Sequence, residues 1–553
     1  MEKAIDSFLK QLYSHFWKTA LVLFLFGLLT YSNSFNNAFL MDDYPMLISN
    51  PQEGDVAFLQ LDLSSEKLIY FRPVTHLFNF ITFAFFADNP FGYHFLNLFL
   101  FWLAALVLYQ ILVTIFQDKA FSFLTALFFL VHPINGICIN YKNATADAML
   151  VLALNLSLLN AFFALEEKSF SRQILSLIWL MIAVFCHEIA LAFPLYLAAL
   201  LYFSRRYSIR QIFRGCASSV LLLTGYFVFR MFFASLKTHV LDQIGNFHVT
   251  ILEHIATYTR LIFWYIARLI VPQDIVLMWN TPIVKDEVGL WLFLFLIIFG
   301  GTVMLIVRLN RTQPKIAFGA AWFLIGLLPV SLACLSRPWF GYFIEPFWLI
   351  YSSIGFSIVF SAFLLELKKM MNPWKWKLIM IFLIGGLIFS SRQYNDLWSS
   401  QIRYCRYWIS VSPRNYFPQF WLAYSYLEKK DYIEAKVYFE KLFEDGFDYE
   451  ETLGNLGIIE YHLENPEKAL YFFQKALLKS PNRADTHYYL GLVYQKLGDE
   501  EKAVVSLERA VSLEPFLLDA KKELAKLYLS QGELEKSAQL EVEILHMEQE
   551  SQK

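Results

Sequence analysis

Two adjacent carboxylates, Asp42 and Asp43, follow directly on an apolar run from about Phe16 to Leu40, in FLMDDYPMLISNP (39–51). Taking a charge out of water is expensive, so an acid pair at the mouth of such a run is either a solvated loop feature or part of a site. One carboxylate of a pair can serve as a general base, and adjacent acids raise one another's pKa toward a useful range. Further ionisable residues follow in order. Arg72 opens RPVTHLFNF, and NPFGYHFLNLFLF (89–101) comes next. His132 and Asp147 lie in LVHPINGICINYKNATADAML, His187 and Glu188 in FCHEIALAFP, and Arg337 in SLACLSRPWF. Asp42 and Asp43 are the candidate catalytic pair, with Arg72, His132, Asp147, His187, Glu188 and Arg337 as candidate binding residues.

The elements that must position these residues are membrane helices. The 553-residue chain is 57% apolar and 18% aromatic, with 17% charged residues and a mean hydropathy of +0.44. Such a chain is too apolar for a soluble domain, and several stretches approach the roughly 20 apolar residues that span a bilayer. A net charge of −2 argues against nucleic acid as a partner. The five cysteines, Cys138, Cys186, Cys216, Cys334 and Cys405, lack CxxC spacing and indicate neither a disulfide framework nor a zinc site. Lys3, Lys10 and Lys18 precede the first apolar run without a small-residue cleavage signature, which reads as a retained membrane helix.

Eleven crossings are expected, centred near Phe24, Ala104, Leu127, Val151, Leu180, Leu197, Leu222, Phe295, Leu324, Phe356 and Phe382. The stretches 73–87 and 256–272 carry His76, Asn79, Arg260 and Arg268 and read as interfacial helices. Basic residues in short loops set the orientation. With a cytoplasmic amino terminus, the inner loops hold Lys119; Lys168 and Arg172; Arg205, Arg206, Arg210 and Arg214; Arg308, Arg311 and Lys315; and Lys368, Lys369, Lys375 and Lys377. The acid pair and the carboxy-terminal part are then extracytoplasmic. Short loops and compact length suggest a bacterial inner membrane.

Hydropathy breaks near Arg392, which divides the chain into a membrane domain (1–391), a linker with a half repeat (392–415) and four repeats (416–553). Units of 34 residues start at Tyr416, Glu450, Ala484 and Leu518. The third reads Leu490, Gly491, Tyr494, Ala503, Leu507, Ala510 and Pro515, the tetratricopeptide pattern. The fourth degrades as a polar cap should. A peptide groove is expected near Tyr426, Glu460 and Tyr494.

The order of these motifs resembles the type C glycosyltransferase superfamily, and within it the transmembrane and tetratricopeptide-repeat O-mannosyltransferases and their bacterial relatives. The likeness covers nearly the whole chain, through EPFWLIYSSIGF (345–356) and RQYNDLW (392–398) into the repeats. It departs from that pattern at Asn135 and Ile137, where a His and a Glu are usual, at Thr145, where an Arg is usual, and at His187 and Pro346. The resemblance implies an all-α polytopic bundle followed by an α-solenoid. It also implies an inverting enzyme that moves a monosaccharide from a polyprenyl-phosphate donor to Ser or Thr hydroxyls on the extracytoplasmic face. Asp42 and Asp43 would then be base and stabiliser of an oxocarbenium-like transition state, and Arg72, His187 and Arg337 would face the lipid phosphate. No cofactor is specified, and a divalent metal is compatible with the site. The partners implied are the lipid-linked sugar, the bilayer and an acceptor protein held by the repeats. Two other readings fit the same residues: a non-catalytic scaffold that assembles an envelope complex, and a transferase acting on lipid or polysaccharide.

Overall fold

The computed structural model describes residues 16–41, 43, 72–233, 249–333 and 342–551, so Asp42, Cys334 and Arg337 lie outside the described residues. The described chain is nearly all helical and divides between Arg403 and Tyr404 into two compact units.

The longer helices of the first unit run α1 (Phe16–Tyr31), α2 (Pro73–Phe86), α3 (Pro90–Phe116), α4 (Lys119–Val131), α5 (Thr145–Glu166), α6 (Phe170–Cys186) and α7 (Phe193–Ser204). They continue with α8 (Ile209–Phe233), α9 (Ile251–Ile270), α10 (Val288–Leu309, interrupted by a π turn), α11 (Pro314–Ala333), α12 (Ile350–Lys369) and α13 (Pro373–Leu397). Local chemistry sets many of the starts. The side chains of Asn89, Asp118, Ser169 and Asn372 accept the first free backbone N–H groups of α3, α4, α6 and α13, and Pro90 and Pro373 hold the first turns. Two three-residue strands, Trp279–Thr281 and Tyr342–Ile344, pair antiparallel.

Each expected crossing centre falls inside a helix. Among the described residues seven helices are long and apolar enough to cross a membrane, or eight if the bent pair Lys119–Val131 and Pro133–Asn140 is one span. The centres at Phe24, Leu180 and Leu197 lie on shorter helical stretches. The outward faces are apolar. Trp17, Leu21, Leu25 and Leu29 are exposed at four-residue spacing on α1, while its buried face carries Thr19, Leu23, Gly27 and Thr30. Small residues let helices meet closely: a Cβ on Gly319 would stand 2.8 Å from the Gly355 carbonyl, and one on Gly355 would meet the Phe323 backbone.

The helices carry the predicted site residues and the predicted inner-loop bases to opposite ends. At one end, Lys315 pairs with Asp118 at 2.5 Å, and Arg206 meets Glu166 at 3.5 Å and donates to the Thr114 carbonyl at 3.0 Å. There Arg205 also donates to the Asn310 carbonyl, and Tyr207 donates to Glu166 at 2.7 Å. Lys142 and Glu166 terminate one 25-residue helical segment, which puts about 37 Å of helix between the two ends.

The second unit holds four helix pairs: 416–428 with 432–444, 450–462 with 466–479, 484–496 with 500–513, and 518–530 with 534–551. The period of 34 reappears in the backbone. Lys430, Glu464, Gly498 and Gly532 each adopt a left-handed conformation, with φ of 60°, 59°, 78° and 79°, just after the first helix of their pair. Gly457 makes room for Phe473, since a Cβ there would stand 2.6 Å from its ring. Two of the expected groove residues are internal instead. Tyr426 is buried and accepts from Arg406 at 2.6 Å, and Glu460 is fully buried against Lys436 at 2.7 Å and Asn465 at 2.9 Å. Half-buried Tyr461, Tyr488 and Tyr489 offer the accessible aromatic surface in that region, with ring separations of 5.1 Å and 6.2 Å along the run.

Candidate functional site

Between α4 and α5 the chain winds through a 3-10 turn (Pro133–Gly136), one helical turn (Ile137–Asn140) and a second 3-10 turn (Lys142–Ala144) that leads into α5. Asp43 is buried against this last turn. Its carboxylate accepts the backbone N–H groups of Asn143 at 3.0 Å, Lys142 at 3.3 Å and Leu40 at 3.4 Å. A carboxylate at the start of a helix suits the exposed N–H groups there. Burial pushes the Asp43 carboxyl up to about 7, against the opposing pull of the Lys142 charge and of the three N–H groups. An acid in that range can exchange a proton near neutrality.

A layer of asparagines fixes the loop that carries Asp43. Asn37 donates to the Asn395 carbonyl at 2.8 Å, and Asn140 donates to the Asn395 side chain at 2.7 Å and to the Gly136 carbonyl at 2.8 Å. Asn395 in turn donates to the Thr30 carbonyl at 2.9 Å. RQYNDLW therefore ties the end of α1 to the His-Pro loop. His94, fully buried on α3, lies between the carbonyls of Ile139 at 2.7 Å and Asn37 at 3.1 Å.

The second cluster centres on Glu188. Arg72 pairs with it at 3.0 Å, Arg230 approaches it at 3.9 Å and His187 Nδ1 stands at 3.7 Å. Arg72 and Glu188 are also the charged groups that act on Asp147, whose Oδ1 is buried without a hydrogen-bond partner among the described residues. His76 lies within electrostatic reach of both Lys142 and Arg72.

The two candidate histidines separate here. Each has its Nδ1 accepting the N–H two residues on, at 3.2 Å from Ile134 for His132 and from Ile189 for His187. That contact assigns the proton of each neutral ring to Nε2. His132 spends it on the Leu269 carbonyl at 3.0 Å and so is a satisfied helix-end residue. His187 Nε2 is buried without a partner among the described residues and stays available. Arg72, Asp147, His187 and Glu188 are thus brought together and Asp43 is bound to the turn that opens the helix of Asp147, while Asp42 and Arg337 fall outside the described residues. Among the described residues no group of three or more His, Cys, Asp or Glu side chains could hold a metal ion.

Arg230 and the Asn37, Asn140 and Asn395 layer were absent from the expected site. A lone arginine in YFVFRMFF was the available signal for the first, because an isolated charge in an apolar helix is costly. The asparagines carry no such signal: their partners are 100 to 360 residues away in sequence and meet only in the fold.

Comparison with known proteins bears on the second unit. Residues 484–517 and 419–444 match models described as tetratricopeptide repeat. Among solved structures, MamA is 22% identical over 27% of this chain and 88% of that chain, with a TM-score of 0.25. MamA from Desulfovibrio magneticus RS-1 is 19% identical over 27% and 84%, with a TM-score of 0.25. YrrB, a TPR protein with an unusual peptide-binding site, is 20% identical over 26% and 75%, with a TM-score of 0.24. No curated protein matches the chain. The carboxy-terminal unit contains tetratricopeptide repeats, a class that holds peptide or protein partners.

Proposed function

We propose that the chain is an integral membrane glycosyltransferase that carries a monosaccharide from a polyprenyl-phosphate donor to Ser or Thr hydroxyls of proteins on the extracytoplasmic face. The observation that carries this reading is a buried acid, Asp43, pushed up to about 7 beside Lys142, on the turn that opens the helix of Asp147, on which Arg72 and Glu188 act. In the reaction the acceptor hydroxyl gives its proton to Asp43 as its oxygen bonds to the anomeric carbon. The bond from that carbon to the phosphate oxygen breaks, and the electron pair leaves with the lipid phosphate. Asp42, its neighbour in sequence, supplies negative charge for the oxocarbenium-like state, and the cations of the site meet the charge that develops on the phosphate. An O-mannosyl product is what the family resemblance implies. The repeats hold the acceptor, and the membrane is a bacterial inner membrane with the amino terminus inside.

A scaffold role is the second reading. The three N–H groups on Asp43 give that acid a structural task, and the family matches lie in the repeats.

Sidedness tests the enzyme reading, because site and repeats must share one face. A reporter fused after Lys553 is expected to be active only outside the cytoplasm, and one inserted at Arg206 only inside it. Cytoplasmic activity of the Lys553 fusion contradicts the proposal.

A further inference from the structure

Lys142 is a fully buried amine whose Nζ finds no hydrogen-bond partner among the described residues. It rests over the ring of Tyr93, with Nζ 6.0 Å from the centroid. Among the described residues the carboxylate that acts on it is Asp43, which turns both oxygens to backbone N–H groups. An ammonium taken out of water without an acceptor is costly, and an incoming anion removes that cost. A second orphan lies alongside. Asn97 follows Tyr93 by one turn on α3, and its Oδ1 accepts from Thr145 at 2.7 Å, one turn after Lys142. Its Nδ2 is buried and likewise without a partner among the described residues. Two unused donors, one of them charged, are therefore carried by two elements that the Thr145–Asn97 hydrogen bond joins, beside the candidate base.

We propose that Lys142, with the Asn97 amide, is the phosphate-binding pair of this site. Lys142 supplies the charge and Asn97 a second donor to a phosphate oxygen. That the phosphate is a lipid's rests on the donor reading above; the anion site itself does not. A compact ammonium on a flexible stem suits a point contact to one oxygen, whereas the Arg72 guanidinium is already engaged by Glu188.

The test uses the full chain in lipid nanodiscs, with polyprenyl phosphate, polyprenol and inorganic phosphate as probes. Lys142→Met is expected to weaken polyprenyl phosphate binding by about tenfold or more and to leave polyprenol binding unchanged, while Lys142→Arg stays within about threefold of wild type. Lys142→Gln, neutral but still a donor, serves as the second variant where the Met variant fails to fold. Binding of inorganic phosphate that depends on Lys142, with no binding of polyprenyl phosphate, supports the anion site and removes the lipid-donor reading. Neutral variants that bind polyprenyl phosphate as wild type does overturn the proposal, and so does a wild-type protein that binds neither anion.

Discussion

Asp43→Asn is expected to lower sugar transfer by about a hundredfold or more, the usual range for loss of a general base. The substitution keeps one accepting oxygen for the Asn143 N–H but turns an amide NH2 toward the N–H groups of both Leu40 and Lys142, which share the other oxygen. That mismatch costs about 1–3 kcal/mol of stability, as an unmade buried hydrogen bond does. Stability and rate must therefore be measured on the same preparation, with transfer normalised to folded protein. The pH profile separates the two effects. Burial holds the Asp43 carboxyl at about 7, so its basic form is gained as pH rises through that value. Wild-type transfer should climb through about pH 7 and level off above it, and the residual activity of Asp43→Asn should lack that step. A variant that stays folded and transfers at wild-type rate removes Asp43 from the chemistry.

Removal of residues 404–553, the whole second unit, is expected to spare transfer to a small soluble acceptor and to lower transfer to the native protein by about a hundredfold. Tethering an acceptor beside a site raises its effective concentration toward the millimolar range, and that gain vanishes with the tether. Cutting after Arg403 matters, because Tyr404, Cys405 and Trp408 are buried and belong with the repeats. A finer variant is Tyr461→Ala with Tyr488→Ala, which strips accessible aromatic surface and leaves buried Tyr426 and Glu460 in place. Equal modification of the native acceptor by the truncated and full chains would give the repeats an assembly role and favour the scaffold reading.

Much of the fold was legible in the sequence because its signals are local. The repeat period rests on small residues that let paired helices touch, as Gly457 does against Phe473 and Gly491 against Leu507. The crossing centres were legible because apolar runs mark helices. Run length says little about where Asn, His or Pro will break a helix, as in the bend after Val131. At the site, charged residues in apolar surroundings stood out, which brought Arg72, Asp147, His187 and Glu188 into view. His132 looked equivalent to His187, and only the carbonyl of Leu269, 137 residues away, tells them apart. Tyr426 and Glu460 were placed in a groove by repeat position alone, whereas Arg406 and Lys436 draw them inward.

The most direct measurement is glycoproteomics of cells that carry the wild-type chain, the Asp43→Asn chain or neither, since it requires no prior choice of sugar or acceptor. A set of extracytoplasmic proteins with a monosaccharide on Ser or Thr is expected in wild-type cells only. Identical glycoproteomes in all three, with the chain present and inserted, would contradict it.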